Sequence, residues 1–234
     1  MTADAQGTVP SIQVGRSADE KISSRSDETR TRLLDAAAKL FAERGYAGTS
    51  MRAVTTAARA SVSAANYHFG SKRALLHAVC QRQIGPLNEA RMRALDVLEA
   101  NAYPDPPELD DLLAAFLRSA VSGEPDQRAG QRAVVSRIYS DAPEVVAELK
   151  RELFAPVFER MAGLLERLFP NATADEITLA MQFTVGVLVH VAGGHLESGV
   201  RPVPRSDRWI NDMCSYCAAG IRAQLSSARD RDEP

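Results

Sequence analysis

Apolar residues recur along this chain at the three- and four-residue spacing that places them on one side of a helix. The pattern predicts a first helix over residues 27–44, followed by Gly45 at a position suited to a left-handed turn. The apolar positions of that helix are Leu33, Leu34, Ala37, Leu40 and Phe41. No segment shows the alternation of a strand, and no internal repeat is evident, so the sequence predicts an all-α protein.

The same spacing continues and predicts about nine helices in all. A long helix is expected from Ser71 to about Ala100, where Gly85-Pro86 predicts a kink near 82–86 because proline lacks the backbone donor. Such a bend serves either as a hinge or as a fit to the core. The later helices are predicted over 107–121, 128–139, 140–169 and 207–226, with one more beginning near Ala172.

The helix beginning near Ala172 differs from the others because its apolar residues do not form a single stripe. It opens with a capping box, Thr173 with Glu176, and is then apolar on nearly every side from Ile177 to Ala192. A helix of this kind is buried on every side. In a chain of this size, one side is expected to face the core and the other a second subunit.

The segment from Thr49 to Lys72 reads as two short helices joined by a tight turn. Ser61 is a helix N-cap for a second helix over Val62–His68, and Ser71 caps the next helix. In a helix-turn-helix the second helix enters the major groove of DNA, which requires small or polar side chains there. The candidate DNA-binding residues are Thr49, Arg52, Ser61, Val62, Ser63, Ala64, Asn66, Tyr67, His68 and Lys72.

Charge is distributed unevenly, although the formal net charge is only -2. Residues 27–76 contain eight Lys or Arg and four Asp or Glu, whereas residues 77–234 contain 17 basic and 23 acidic residues. A basic module on an acidic body suits a protein that presents one end to nucleic acid. Chance is the alternative explanation, since a local charge of +4 is modest.

A resemblance to a known family lies in residues 33–76, which read LLDAAAKLFAERGYAGTSMRAVTTAARASVSAANYHFGSKRALL. This segment resembles the DNA-binding domain of the TetR family of bacterial transcriptional regulators. So many matches in order over about fifty residues make a specific pattern, which covers about a fifth of the chain. The matching positions are Leu40-Phe41, Gly45-Tyr46, Thr49-Ser50, Arg52, Val54, Ala58, Ser61, His68-Phe69 and Ser71-Lys72.

Arg59 departs from the family pattern, because it stands where the turn usually has glycine. A residue other than glycine costs about 1 kcal/mol in a left-handed turn. Arg59 therefore either adopts a different turn geometry, compensates by contacting a DNA phosphate, or is simply a tolerated solvent-facing side chain.

The resemblance implies a homodimeric regulator that binds a palindromic operator in double-stranded DNA and acts as a repressor released by a small apolar molecule. The string Asn66 to Lys72 resembles a subgroup that responds to fatty acids or acyl-CoA esters. The last two helices resemble the pair that forms the family's dimer interface. The candidate ligand-binding residues are Phe116, Ile138, Phe158, Met161 and Phe183.

The expected domains are a disordered arm (1–26), a helix-turn-helix domain (27–73), a helical sensing and dimerisation domain (74–228) and a flexible tail (229–234). The arm lacks the apolar core of a signal peptide, and no run of about 18 apolar residues suggests a membrane span. Three cysteines, an odd number, argue against a disulfide framework. We therefore expect a cytoplasmic protein that does not bind membranes.

No motif for catalysis, a metal or a cofactor is evident, so an enzyme is not expected. Cys214 and Cys217 lie within one predicted helix without suitable partners, which favours buried thiols over a metal or redox pair. Two alternatives stay open. One is a regulator without a ligand, and the other is a helical binding protein or enzyme with no DNA role.

Overall fold

The structure is a computed structural model that describes residues 18–119, 144–192 and 206–226. Within these ranges the chain forms eight α-helices and no strand, which confirms the all-α prediction. None of these helices is both long enough and apolar enough to cross a membrane. The helices are α1 (Ala18–Arg44), α2 (Met51–Ala57), α3 (Val62–Phe69), α4 (Lys72–Ala102), α5 (Leu109–Ser119), α6 (Glu144–Leu168), α7 (Ala174–Ala192) and α8 (Asp207–Ser226).

Three serines begin the helices that follow α1. The side chains of Ser50, Ser61 and Ser71 each accept a hydrogen bond from the backbone N–H three residues ahead, at 3.1, 3.0 and 3.1 Å. Each bond satisfies one of the N–H groups that a helix start leaves open, and contributes about 1 kcal/mol. Gly45 (φ 71°) and Gly70 (φ 70°) follow α1 and α3 in conformations that glycine adopts easily.

The first helix begins earlier than the sequence pattern predicts. Residues 18–26 are helical, so the disordered arm predicted over 1–26 was wrong for this part; residues 1–17 lie outside the described residues. The segment has no apolar stripe, and its extension is explained by cooperativity. Once the packed part of α1 is formed, each further residue gains a hydrogen bond without a new nucleation cost.

The long helix α4 is not interrupted at Gly85-Pro86, where a kink was predicted. Ile84 and Gly85 are buried before the proline, and Arg91 and Leu95 are buried after it, so packing holds the helix on either side of the missing donor. The other predicted bounds agree within a few residues, and α8 spans 207–226 as expected. The helix predicted over 128–139 and the tail over 229–234 lie outside the described ranges.

The described helices enclose two hydrophobic cores. The N-terminal core is built from α1 to α4, with Leu33, Val54 and Leu75 at its centre. The C-terminal core joins the second half of α4, through Leu95, to α5, α6, α7 and α8, around residues such as Leu113 and Leu165. Burial of apolar side chains in these two clusters is the main force that holds the helices together.

Helix α6 belongs to both cores. Leu149, Leu153 and Phe154, in its first half, are buried in the N-terminal core. The second half contributes to the C-terminal core, and Phe158 packs against both clusters. The helix therefore joins the two parts of the molecule through direct apolar contact, in addition to the covalent connection that α4 provides.

Ion pairs run along the seam between α4 and α6. Near the start of α4, Arg73 pairs with Glu148, and His77 Nε2 lies 3.5 Å from a carboxylate oxygen of Glu152. At the other end, Arg167 pairs with Glu99 at 2.8 Å. Exposed pairs of this kind contribute little stability, typically below about 1 kcal/mol each. These pairs therefore help to define the register of α6 along α4 and add little to the free energy of unfolding.

Candidate nucleic-acid interface

Helix α3 presents two different faces. Its inner face is buried, with Ala65 at 0% and Phe69 at 9% exposure in the N-terminal core. Its outer face exposes Val62 and Asn66 along with the serines at its start, and Tyr67 is 83% exposed. Contacts on the inner side hold the helix in place, so the outer side chains are displayed on a rigid support.

The start of α3 offers the chemistry that reads base edges. Ser63 and Asn66 are exposed and supply both donors and acceptors, which the major groove of DNA requires. Val62 is half exposed and supplies an apolar contact of the kind made with a thymine methyl group. The small side chains of Ser61 and Ala64 allow the backbone to approach closely.

Larger side chains follow at the other end of the same face. The rings of Tyr67 and His68 pack edge to face, with centroids 5.2 Å apart. Lys72 Nζ lies 4.1 Å from the centroid of the Tyr46 ring, which holds the ammonium group by a cation–π contact. Arg52 is exposed on α2. These groups can contact phosphates on either side of the base-reading residues.

Thr49 is the predicted interface residue that the structure places elsewhere. It is only 2% exposed, so it cannot contact DNA. Its Oγ1 lies 2.9 Å from the Gly45 carbonyl oxygen and 3.1 Å from that of Leu40, so the hydroxyl donates to the backbone at the end of α1. Ser50 is the N-cap of α2, so Thr49 positions the loop instead.

The sequence around this interface carries positive side chains and no negative ones. From residue 44 to residue 88 the sequence has no Asp or Glu, and it carries six Lys or Arg. No carboxylate of this stretch therefore competes with a DNA phosphate for its cations. Acidic residues from outside the stretch pair with two of these cations: Glu148 with Arg73, and Asp35 with Arg82 at 2.8 Å. The interface thus has the positive potential that attracts a polyanion.

The turn between α2 and α3 has left-handed geometry, although Arg59 stands there in place of the family's usual glycine. Arg59 has φ of 50°, the only positive φ among the described residues other than glycine. Since that conformation crowds the Cβ atom, it costs about 1 kcal/mol relative to glycine. The different turn geometry considered from the sequence is therefore excluded.

Two family models match the sequence of this chain. The family model described as "Bacterial regulatory proteins, tetR family" matches residues 33–79. A second model, described as "Tetracyclin repressor-like, C-terminal domain", matches residues 114–220. The chain belongs to the TetR family. It is therefore a DNA-binding transcriptional regulator, and the N-terminal match spans the interface built from α2 and α3.

The chain is also similar to one curated regulator in sequence and to solved structures in fold. The HTH-type transcriptional regulator UidR of Escherichia coli K12 is 26% identical over 181 residues, which cover 74% of this chain and 86% of that protein. A transcriptional regulator structure from Pseudomonas aeruginosa PAO1 has a TM-score of 0.60 at 21% identity and covers 86% of this chain and 92% of its own. A TetR-family structure from Mesorhizobium loti has a TM-score of 0.53 at 22% identity, covering 85% and 97%.

The candidate ligand-binding residues of this TetR-family protein do not form one site. Phe158 lines a groove of about 760 Å³ between α6 and α7. Phe116 and Met161 are buried in the C-terminal core, with exposures of 4% and 2%. Phe183 is 59% exposed and lines a different cleft, between α7 and α8. Ile138 lies outside the described residues.

The groove at Phe158 has apolar walls with a few polar groups. Met181 and Val185 of α7 face Phe158 across it. Its polar members are Glu159, Thr178, Gln182 and His190, and no lysine or arginine is among the described lining residues. The volume lies within the range of small-molecule sites, about 300–1,000 Å³. The spacing of apolar residues could not predict it, because it depends on how α6 and α7 pack.

Sequence reasoning also missed Arg91, which is 3% exposed between α4 and α5. Its Nε lies 3.1 Å from the Phe116 carbonyl oxygen and 3.0 Å from Ser119 Oγ, and its guanidinium stands 4.3 Å from the Phe116 ring centroid. Asn88 accepts a further bond from Arg91 Nη1 and donates to the Leu153 carbonyl at 2.7 Å. This polar network therefore links α4, α5 and α6.

Proposed function

We propose that this TetR-family regulator is a homodimeric repressor that binds a palindromic operator and is released by a small apolar molecule. The observation that carries the DNA-binding part is the outer face of α3, which is small and polar at its start and free of carboxylates around it. The family's members bind DNA and small-molecule effectors, typically as dimers. Such a regulator would act in the cytoplasm.

We assign the predicted residues to two roles. Ser61, Val62, Ser63, Ala64 and Asn66 would face base edges, because they lie at the start of the helix that enters the groove. The remaining exposed candidates would bind phosphates and so contribute affinity without sequence preference. These are Arg52, Tyr67, His68 and Lys72.

The proposed dimer uses the outer faces of α7 and α8. Leu179 and Phe183 of α7 are 42% and 59% exposed, and Tyr216 of α8 is 71% exposed. Exposed apolar residues grouped on neighbouring helices are typical of an interface. A two-fold axis there would pair the two copies of α3 at about 34–36 Å or a multiple, to match successive major grooves.

The groove between α6 and α7 is the proposed effector site. Its lining favours a neutral or positively charged apolar molecule, because it contains Glu159 and lacks lysine and arginine among the described residues. A fatty acid or an acyl-CoA ester carries negative charge and is less suited to this lining. The acyl class suggested by the sequence stays a prediction, which a ligand screen can test.

The proposed route from effector to DNA runs through α6. Phe158 lines the groove and also packs against the N-terminal core, where Leu153 is buried. An effector with higher affinity for one position of α6 would shift the population toward it, and so alter the spacing of the two reading helices. Only a difference in affinity between the two positions of α6 produces the response. An effector that bound both equally would shift nothing, however tightly it bound.

Operator selection from a randomised DNA library tests the DNA-binding assignment. The wild-type protein should enrich a two-fold symmetric site. Ser63→Ala and Val62→Ala should change the preferred bases, whereas Tyr67→Ala should weaken binding to operator and random DNA alike and lower the salt dependence. An unchanged preference in both α3 variants would remove them as base-reading residues.

Release by an effector is tested separately, with the selected operator bound to the protein. A screen of neutral, cationic and acyl compounds should find molecules that dissociate the complex, and Ala162→Trp should abolish release by filling the groove. Val97→Trp, on the exposed surface of α4, is a control substitution outside both that lining and the proposed dimer interface. If no compound acts and Ala162→Trp leaves DNA binding and stability unchanged, a regulator without an effector is the better description.

A further inference from the structure

The turn between α2 and α3 holds a positive charge in an unfavourable conformation. Arg59 is exposed, with φ of 50°, and its side chain makes no ion pair, hydrogen bond or ring contact with the described residues. A residue held in a sparsely populated conformation persists only where the surroundings fix it, and such residues cluster at functional sites.

The surroundings do fix this turn. The backbone N–H of Ala58 donates to Val54 O at 2.9 Å, and that of Ala60 donates to Thr55 O at 2.9 Å. Ala58 is 5% exposed, so the chain on that side is anchored in the N-terminal core. Arg59 lies between these two anchored residues, and its conformation is imposed on it by the turn.

The position of the turn determines what the side chain can meet. In a helix-turn-helix the first helix crosses the DNA backbone and the second enters the groove, so the connecting turn lies at the groove edge. Arg59 is two residues from Ser61, which places its Cα within about 7.6 Å of the start of the reading helix. The groove edge is lined by phosphates, for which arginine is well suited.

We propose that Arg59 is a DNA-anchoring residue that binds a backbone phosphate beside the start of α3. Glycine at this position would relieve the strain in the free protein but would remove the charge. In the proposal, the phosphate contact in the DNA complex offsets the backbone strain that Arg59 causes in the free protein. This inference rests on the proposed DNA-binding face, although it needs neither the operator sequence nor an effector.

Arg59→Gly and Arg59→Lys separate charge from strain. Arg59→Gly should bind DNA about tenfold more weakly at low salt and should raise the melting temperature of the free protein by about 2–4 °C. The slope of log affinity against log salt should fall by about 0.9 for each protomer bound. Arg59→Lys should keep most of the slope and show no rise in melting temperature, because it retains both charge and strain.

Arg93→Gln is the matched control, since Arg93 is an exposed cation on α4, away from the turn. It should leave the slope unchanged. Each variant is measured on the selected operator and on random DNA. Equal losses on both support a phosphate contact, whereas a loss on the operator alone would overturn it in favour of a base contact.

Two further results would also reject the proposal. One is unchanged affinity of Arg59→Gly at every salt concentration. The other is a lower melting temperature of that variant, which would show that Arg59 stabilises the free chain. If the wild-type protein itself binds no DNA, the proposed function fails first, and that outcome is distinguishable because it does not involve the variants.

Discussion

The two halves of this molecule use their surfaces in opposite ways. In the N-terminal half, α3 buries Phe69 and exposes small or polar residues such as Ser63 and Asn66. In the C-terminal half, α7 buries Ile177 and Leu188 but also exposes Leu179 and Phe183. The first surface suits a hydrated, charged polymer, and the second suits burial against another apolar surface. The difference shows that one helical architecture can present two chemically distinct surfaces.

The largest expected effect comes from charging the exposed face of the C-terminal half. Phe183→Arg should raise the dissociation constant of the dimer at least a hundredfold, because it would bury an unpaired cation in the proposed interface. Operator binding should fall with it. Sedimentation at several protein concentrations measures the dimer directly.

Val97→Arg is the matched control, since Val97 is 59% exposed on α4, the same fraction as Phe183. It should remain dimeric. The fluorescence of Trp209, the single tryptophan, reports whether the C-terminal core is intact in both variants. Deleting α8 is a poorer test, because Met213, Cys217 and Ile221 are part of that core. A dimeric Phe183→Arg protein would disprove the proposed interface.

A second prediction addresses the boundary between the halves. Leu153→Ala, in α6, should weaken the N-terminal core by about 2–4 kcal/mol through the cavity it leaves, although α6 lies mostly in the C-terminal half. Cys80 is a native reporter of that core, because its thiol is buried there. Its rate of alkylation under native conditions, read by peptide mass spectrometry, should increase strongly.

Leu113→Ala provides the comparison, because Leu113 is buried in the C-terminal core. It should accelerate alkylation of Cys217 more than that of Cys80. If Leu153→Ala instead exposes Cys217 and leaves Cys80 protected, then α6 does not support the N-terminal core and the bridge between the two cores is refuted.

The smallest effect concerns the same thiols and pH. Burial raises the pKa of Cys80 from 9.0 to about 12, and burial together with Cys214 raises that of Cys217 to about 11. Each folded thiol keeps its proton at a pH where the unfolded thiol ionises, so the stability from burial is complete below pH 9 and is lost as pH rises toward the folded value. Between pH 9 and 10 each thiol should lower the free energy of unfolding by about 1 kcal/mol.

Urea unfolding at pH 8, 9 and 10 measures this loss. Cys80→Ala should lose about 1 kcal/mol less than the wild-type protein between pH 9 and 10, even though it starts from a lower stability. Cys217→Ala should behave in the same way. Equal losses in the wild-type protein and in Cys80→Ala would show that the Cys80 thiol is hydrated in the folded state.

The sequence predicts the N-terminal half well because its signals are local. Ser61 caps a helix by a contact three residues ahead, and Gly45 follows the helix that it ends, so neighbouring residues are enough to locate both. Thr49 shows the limit. It was predicted to contact DNA, but its hydroxyl reaches back nine residues to the Leu40 carbonyl, which local patterns cannot reveal.

The C-terminal half was harder to predict because its important contacts are distant in sequence. Arg91 contacts Phe116, and Leu153 joins a core built mainly from residues before 85. The helical spacing correctly placed Phe116 and Met161 on apolar faces, but it could not distinguish a buried position from the wall of a groove. That distinction depends on how α6 and α7 meet.

The uninterrupted length of α4 has a mechanical consequence. Its 31 residues rise about 1.5 Å each, so the helix is about 46 Å long; it starts directly after α3 and ends beside the exposed Tyr103 in the other half. A tilt of about 5° at the far end would swing the near end by about 4 Å. Because the helix is continuous through Pro86, a rigid α4 would act as a lever that enlarges a small displacement at one end into a displacement comparable with a base-pair step.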